Sequence, residues 1–68
     1  MEKKTIGWVA RDKSGLLIIG TQKPIKEDKF GMWVGFAEHM KINPQLFPQV
    51  KWKDKEPTEV ELTIKICE

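Results

Sequence analysis

Apolar and polar positions alternate most cleanly over the eight residues from Glu59 to Ile66, where Val60, Leu62, Ile64 and Ile66 interleave with Glu59, Glu61, Thr63 and Lys65. A period of two predicts a strand with one buried and one wet face. A weaker alternation from Thr5 to Arg11 sets Ile6, Trp8 and Ala10 on one face and Thr5, Gly7, Val9 and Arg11 on the other. Asp12-Lys13-Ser14-Gly15 follows with turn chemistry: an Asp that bonds its own backbone and a glycine that accepts positive φ. The next apolar run, Leu16 to Ile19, then returns as the second arm of a hairpin. Being apolar on both faces, it suits a strand covered on both sides or one whose outer face meets a partner.

The middle of the chain is less regular. Thr21 to Lys29 is polar, Pro24 bars a regular central strand, and Lys26-Glu27-Asp28-Lys29 predicts a solvated, mobile loop. Between Phe30 and Met40 two periods compete. Phe30, Met32, Val34 and Phe36 alternate as in a strand, while Met32, Trp33, Phe36, Ala37 and Met40 recur at helical spacing. Gly31 and Gly35 each weaken a helix by about 1 kcal/mol relative to alanine, which favours strands with a turn near Gly35. Asn43-Pro44 starts and Pro48 stops a single helical or 3₁₀ turn, expected to plant Leu46 and Phe47 in the core. Val50 and Trp52 then share a face of a short extended segment with Lys51 and Lys53 opposite, and Asp54-Lys55-Glu56-Pro57 forms a second polar turn.

These elements predict one domain over residues 1–68 that is mostly β: a small, twisted antiparallel sheet of four or five strands, open or barrel-like, with the Asn43–Pro48 turn closing one end. The alternative is an α+β fold with a helix over Met32–Lys41. No internal repeat or linker divides the chain.

Length limits what such a domain can bury. A chain of 68 residues removes only about 60% of its unfolded surface from water, so its core is thin. Trp8, Phe30, Trp33, Phe36, Phe47 and Trp52, at roughly 150–250 Å² each, are the natural core candidates. A single cysteine, Cys67, closes no intramolecular bridge, and with the single histidine, His39, it falls short of the four ligands of a structural zinc site. Dense packing or self-association remains as compensation. The charged amino-terminal residues carry no secretory pattern and the longest aliphatic run is far below the ~20 residues of a membrane helix. A lone thiol without an export signal points to the cytoplasm and away from a membrane.

The residues of enzyme chemistry do not assemble in the sequence. Cysteine-histidine catalysis needs an oriented base, and Cys67 stands far from His39. Glu38-His39 lacks the second histidine of a metalloprotease pattern. Asp12, Glu27, Asp28, Glu38 and Asp54 are mostly turn carboxylates, for which solvation is the ordinary explanation. No glycine loop has the lysine and the strand-to-helix context that cradle a phosphate. No catalytic residue, metal ligand or cofactor is therefore predicted, and the chain reads as a non-enzymatic module.

Two binding readings remain. Lys51-Trp52-Lys53 could stack a base on Trp52 while its lysines meet phosphates, with Arg11, Lys13 and Lys29 elsewhere. Against it stand Asp54, Glu56, Glu59 and Glu61, and a net charge of only +2 from 12 basic and 10 acidic residues. Protein contact is the better expectation. So short a chain cannot bury both faces of Leu16 to Ile19 together with Met32, Trp33 and Phe36, and a small sheet offers edges that pair with other strands. Trp33, Phe36 and Trp52 are the candidate binding residues for a protein partner or a second copy of the chain; Trp52, Lys51 and Lys53 are those for single-stranded nucleic acid.

Trp8-Val9-Ala10-Arg11-Asp12, Gly15, Lys23-Pro24 and Leu46-Phe47-Pro48 leading to Val50, Trp52, Asp54, Pro57 and Val60 also carry a resemblance. The wording is similar to that of a group of short uncharacterised proteins from gut anaerobic bacteria and their phages or mobile elements, over nearly the whole chain. The resemblance implies a compact accessory protein and brings no activity, ligand or catalytic residue with it.

Overall fold

The computed structural model describes residues 2–65, with side chains over 3–63. Among the described residues there are six strands and no helix: β1 Glu2–Arg11, β2 Leu17–Gly20, β3 Ile25–Glu27, β4 Met32–Val34, β5 Met40–Ile42 and β6 Thr58–Lys65. Four of them form an antiparallel sheet in the order β5-β2-β1-β6, and β3 and β4 pair as a separate two-stranded sheet. The mostly β expectation holds. The four-stranded sheet stays open, because its outer strands β5 and β6 lie at opposite ends of the order and do not pair, so the barrel-like form is not adopted.

The registers explain which residues are buried, since directly opposed residues of an antiparallel pair share a face. Val9 opposes Ile19, Gly7 opposes Val60, and Leu17 opposes Ile42. Val9 and Leu17, with Val50 from the later loop, make the fully buried core, and Ile19, Ile42, Phe47 and Val60 pack around it. The other face carries Trp8, Ala10, Ile18 and Gly20, and Ala10 and Ile18 are buried there. Leu17 and Ile18, on opposite faces, are thus both buried, while Leu16 and Ile19 at the ends of the run are half-buried. The core itself is aliphatic. Of the six aromatic residues named as core candidates only Trp33 is buried, and Phe30 is 68% exposed.

Several local expectations change. No helix spans Met32–Lys41, because Gly35 at φ 92° and Glu38 at φ 46° break any right-handed run. The segment expected as a loop around Lys26 contains strand β3, whose partner β4 returns after a turn at Asp28–Gly31 that Gly31 closes with φ 65°. Asn43–Pro48 forms no helix, but it makes a single hydrogen-bonded turn at its start, where Asn43 Oδ1 accepts Gln45 N–H at 2.9 Å as the expected cap. Leu46 N–H donates to the Asn43 carbonyl and Val50 N–H to the Phe47 carbonyl, while Phe47 at φ 51° stops the coil between the two turns. Phe47 packs on the core but Leu46 stays 49% exposed. Val50 and Trp52 do not lie on an extended segment either. Asp54 folds back instead, its carboxylate accepting Lys51 N–H at 3.0 Å and its N–H donating to the Lys51 carbonyl at 3.1 Å.

Two cations hold these loops on the sheet. Arg11 Nε donates to the Val50 carbonyl at 2.7 Å and Nη1 to the Gly15 carbonyl at 2.9 Å, with longer contacts from Nη2 to the Leu46 and Phe47 carbonyls. Lys26 Nζ donates to the Trp52 carbonyl at 2.5 Å and the Asp54 carbonyl at 3.0 Å. Asp12, expected as a solvated turn carboxylate, is only 5% exposed. Its Oδ1 accepts Trp33 N–H at 2.9 Å, and Trp33 Nε1–H donates to the Arg11 carbonyl at 3.1 Å. These two bonds fasten the β3–β4 hairpin to the β1–β2 turn.

Candidate interaction surface

The β3–β4 hairpin presents two unlike faces. Its register opposes Ile25 to Val34 and Glu27 to Met32, while Lys26 and Trp33 point the other way. Trp33 goes inward to Asp12 and the Arg11 carbonyl, which leaves Ile25, Met32 and Val34 on the outer face. Ile25 is 71% exposed, Met32 and Val34 are each 41% exposed, and Phe30 stands beside them in the turn. A two-stranded sheet with one apolar face in water loses the burial that ordinarily makes such a face worth keeping.

Met32 and Val34 line a cleft of about 420 Å³ together with Ile18 of the main sheet and Leu16, which precedes β2. Phe36 lies at one end and His39 and Lys41 supply its polar rim. Phe36 is held over Gly20: a Cβ built there stands 2.7 Å from Phe36 Cδ1 and 3.0 Å from the Ala37 carbonyl oxygen, so only glycine permits this approach. The Thr21 N–H bond to the Ala37 carbonyl at 2.9 Å fixes the same loop. The His39 ring lies 6.2 Å from the Phe36 ring. The cleft is mostly apolar with a few polar groups at its rim, the usual make-up of a site that receives an apolar side chain.

Of the residues named from sequence, Trp33 and Phe36 come together at this cleft. Trp33 is buried and builds its floor, and Phe36 is half-buried and reaches it. Trp52 is not part of it. The Lys26 ammonium sits 4.4 Å from the centroid of the Trp52 ring, a cation–π contact on one ring face. Lys51 and Lys53 are exposed on either side. Arg11, counted from sequence among the free basic groups, is committed to backbone carbonyls. Cys67, weighed as a nucleophile beside His39, lies outside the described residues. No helix of the described residues is long and apolar enough to cross a membrane.

Sequence reasoning missed Ile25 and gave Val34 no role. A usable signal was present: Ile25 and Glu27, then Met32 and Val34, are alternating pairs on either side of Asp28-Lys29-Phe30-Gly31, the pattern of a short hairpin. Pro24 and the surrounding charge obscured it.

Comparison with known proteins brings no match: no family model fits the chain, and no curated protein and no solved structure is similar to it.

Proposed function

We propose that this chain is a non-enzymatic protein-interaction module of the cytoplasm, which receives an apolar segment of a protein partner on the outer face of β3–β4 and in the adjoining cleft. The observation that carries the reading is the exposure of Ile25, Phe30, Met32 and Val34 on one small hairpin. Isolated apolar side chains in water are common, whereas a contiguous set on one element marks a contact surface. Met32 suits the role because its flexible thioether adapts to varied partners. Such a role agrees with the compact accessory protein that the sequence resemblance implies.

The test is photo-crosslinking in the host cell, with benzoylphenylalanine replacing Ile25, Phe30 or Met32 in separate variants and exposed Gln49 in a control. A discrete protein adduct from position 32, absent from position 49 and lost when Val34→Asp is added, supports the reading. Absence of any adduct from positions 25, 30 and 32 overturns it.

A further inference from the structure

Asp12 is the one buried charged side chain among the described residues, and only half of its carboxylate is engaged. Its backbone closes the β1–β2 turn: the N–H donates to the Leu16 carbonyl at 2.8 Å and the carbonyl accepts Gly15 N–H at 2.9 Å. Oδ1 accepts Trp33 N–H at 2.9 Å. Oδ2 accepts no hydrogen bond from the described residues, and the carboxylate forms no ion pair with them. Since no fully buried side-chain oxygen among those residues lacks a hydrogen bond, Oδ2 keeps contact with solvent, and the openings beside it are two hollows that Asp12 lines. One is the cleft of about 420 Å³ that reaches Phe36. The other, of about 620 Å³, lies between the β1–β2 turn and the β3–β4 turn. Asp12, Leu16 and Met32 line both, so the two hollows meet at the carboxylate.

We propose that Asp12 Oδ2 receives the guanidinium of a single arginine carried by the apolar segment that docks on this face. The inference rests on the docking reading above and names the partner's anchoring residue. A carboxylate withdrawn from bulk water is costly unless a cation or a full set of hydrogen bonds meets it, and here the chain supplies one bond. The cations nearby do not close the gap. Lys13, Lys29, His39 and Lys41 stand around the two openings, with Asp28 among them, and all five are exposed, so their charges are screened by water and salt. A cation brought in on an apolar stem reaches what those surface groups do not. The arginine stem lies along Leu16, Ile18 and Met32, residues that line the way to Asp12. Its guanidinium is more weakly hydrated than an ammonium, and its flat face suits the thioether of Met32 and the ring of Phe36 while an edge donates to Oδ2. Such a charge-assisted bond is roughly twice as strong as a neutral one. The lysines at the rim repel further basic residues, so the arginine stands alone among apolar or acidic neighbours.

The probe is n-butylguanidinium, with n-butylurea as its neutral isostere, added to the full isotope-labelled chain at constant ionic strength. The reporter is the nuclear magnetic resonance signal of the Trp33 backbone amide, whose N–H bonds to the same carboxylate. A saturable shift is expected, half complete at ~1–10 mM for so small a ligand. Butylurea on the wild-type chain, and butylguanidinium on Asp12→Asn, are each expected to need at least about fivefold more. Asparagine keeps a side-chain oxygen for Trp33 N–H and removes only the charge, so this variant separates binding from folding. Where it fails to fold, the butylurea comparison on the wild-type chain decides. Equal shifts with the two ligands, no shift up to ~50 mM, or undiminished binding to a folded Asp12→Asn chain overturns the proposal. In the cell, Asp12→Asn added to the Phe30 crosslinking variant is expected to cut the adduct at least about fivefold. An adduct at full yield overturns this proposal alone and leaves the docking reading intact. Butylguanidinium binding with no adduct from any position has the reverse meaning: the docking reading fails and the guanidinium site stands without that partner.

Discussion

Arg11→Met tests whether a cation bonded to carbonyls, with no carboxylate partner among the described residues, holds the core loop in place. The substitution keeps most of the aliphatic stem and removes five N–H donors. Two bonds are short, to Val50 at 2.7 Å and Gly15 at 2.9 Å, and those to Leu46 and Phe47, at 3.3 and 3.4 Å, are too long to add much. A hydrogen bond to a charged group is worth about 1.5–3 kcal/mol, and two made by one side chain do not add fully, so the expected loss is about 3 kcal/mol. Val50 is 2% exposed and belongs to the core cluster, so losing the bond at its carbonyl also loosens its side chain. At about 0.05–0.15 kcal/mol per residue a chain of this length has only about 3–10 kcal/mol in total. Urea unfolding followed by tryptophan fluorescence reads the change. With a slope near 1 kcal/mol/M for so small a domain, the midpoint falls by about 3 M or the folded baseline disappears. Arg11→Lys restores less than half, because an ammonium cannot reproduce the planar fork. A midpoint for Arg11→Met within about 0.5 M of wild type would refute the reasoning and leave the loop held by Phe47 and Val50 packing alone.

Four further outcomes follow from the same contacts. Gly20→Ala forces a methyl group into Phe36 and the Ala37 carbonyl and is expected to cost about 1–3 kcal/mol in urea unfolding, partly recovered by Phe36→Leu. Asp12→Ala leaves the buried Trp33 N–H without its acceptor, a loss of about 1–3 kcal/mol, with faster exchange of that amide in hydrogen-exchange measurements. Glu38→Gly relieves a left-handed backbone at φ 46° on an exposed residue and should raise the melting temperature, the gain being at most about 1 kcal/mol because glycine also loosens the unfolded chain. Lys26→Met removes the ammonium from the Trp52 ring and from two carbonyls, so the emission of Trp52, isolated by Trp8→Phe and Trp33→Phe, should shift as its loop loosens.

How much of this was legible in the sequence follows from range. β6 and β1 were legible because alternation over many residues encodes a strand whatever lies beside it, and the turn at Asp12–Gly15 because its chemistry is local. Short strands are different. β3, β4 and β5 have three residues each, too few for a period to declare itself, and what makes them strands is pairing with partners set by glycine and left-handed positions between them. The Asn43–Pro48 segment was legible in part: its cap and its single turn are local chemistry and are present, whereas the placing of Phe47 on the core at φ 51° with Leu46 left exposed is decided by tertiary packing.

The placement of charge was the least legible feature, and it bears on the candidate site. Arg11, Asp12 and Lys26 looked like solvated residues, yet each carries a structural bond to backbone. That use answers the problem of a small chain in a way that counting cysteines and histidines does not reveal. Loops that a larger protein would cover with a second layer are here tied by charge-assisted bonds to their own carbonyls, each worth more than a neutral bond. The apolar residues freed from that task are the ones found outside. Ile25, Phe30, Met32 and Val34 sit on a hairpin already fastened through Trp33 to Asp12 and Arg11, so their exposure is not needed to hold the fold and is available for contact. Alanine substitutions there are consequently expected to leave the urea midpoint nearly unchanged while removing the crosslinked partner, the opposite pattern to Arg11→Met.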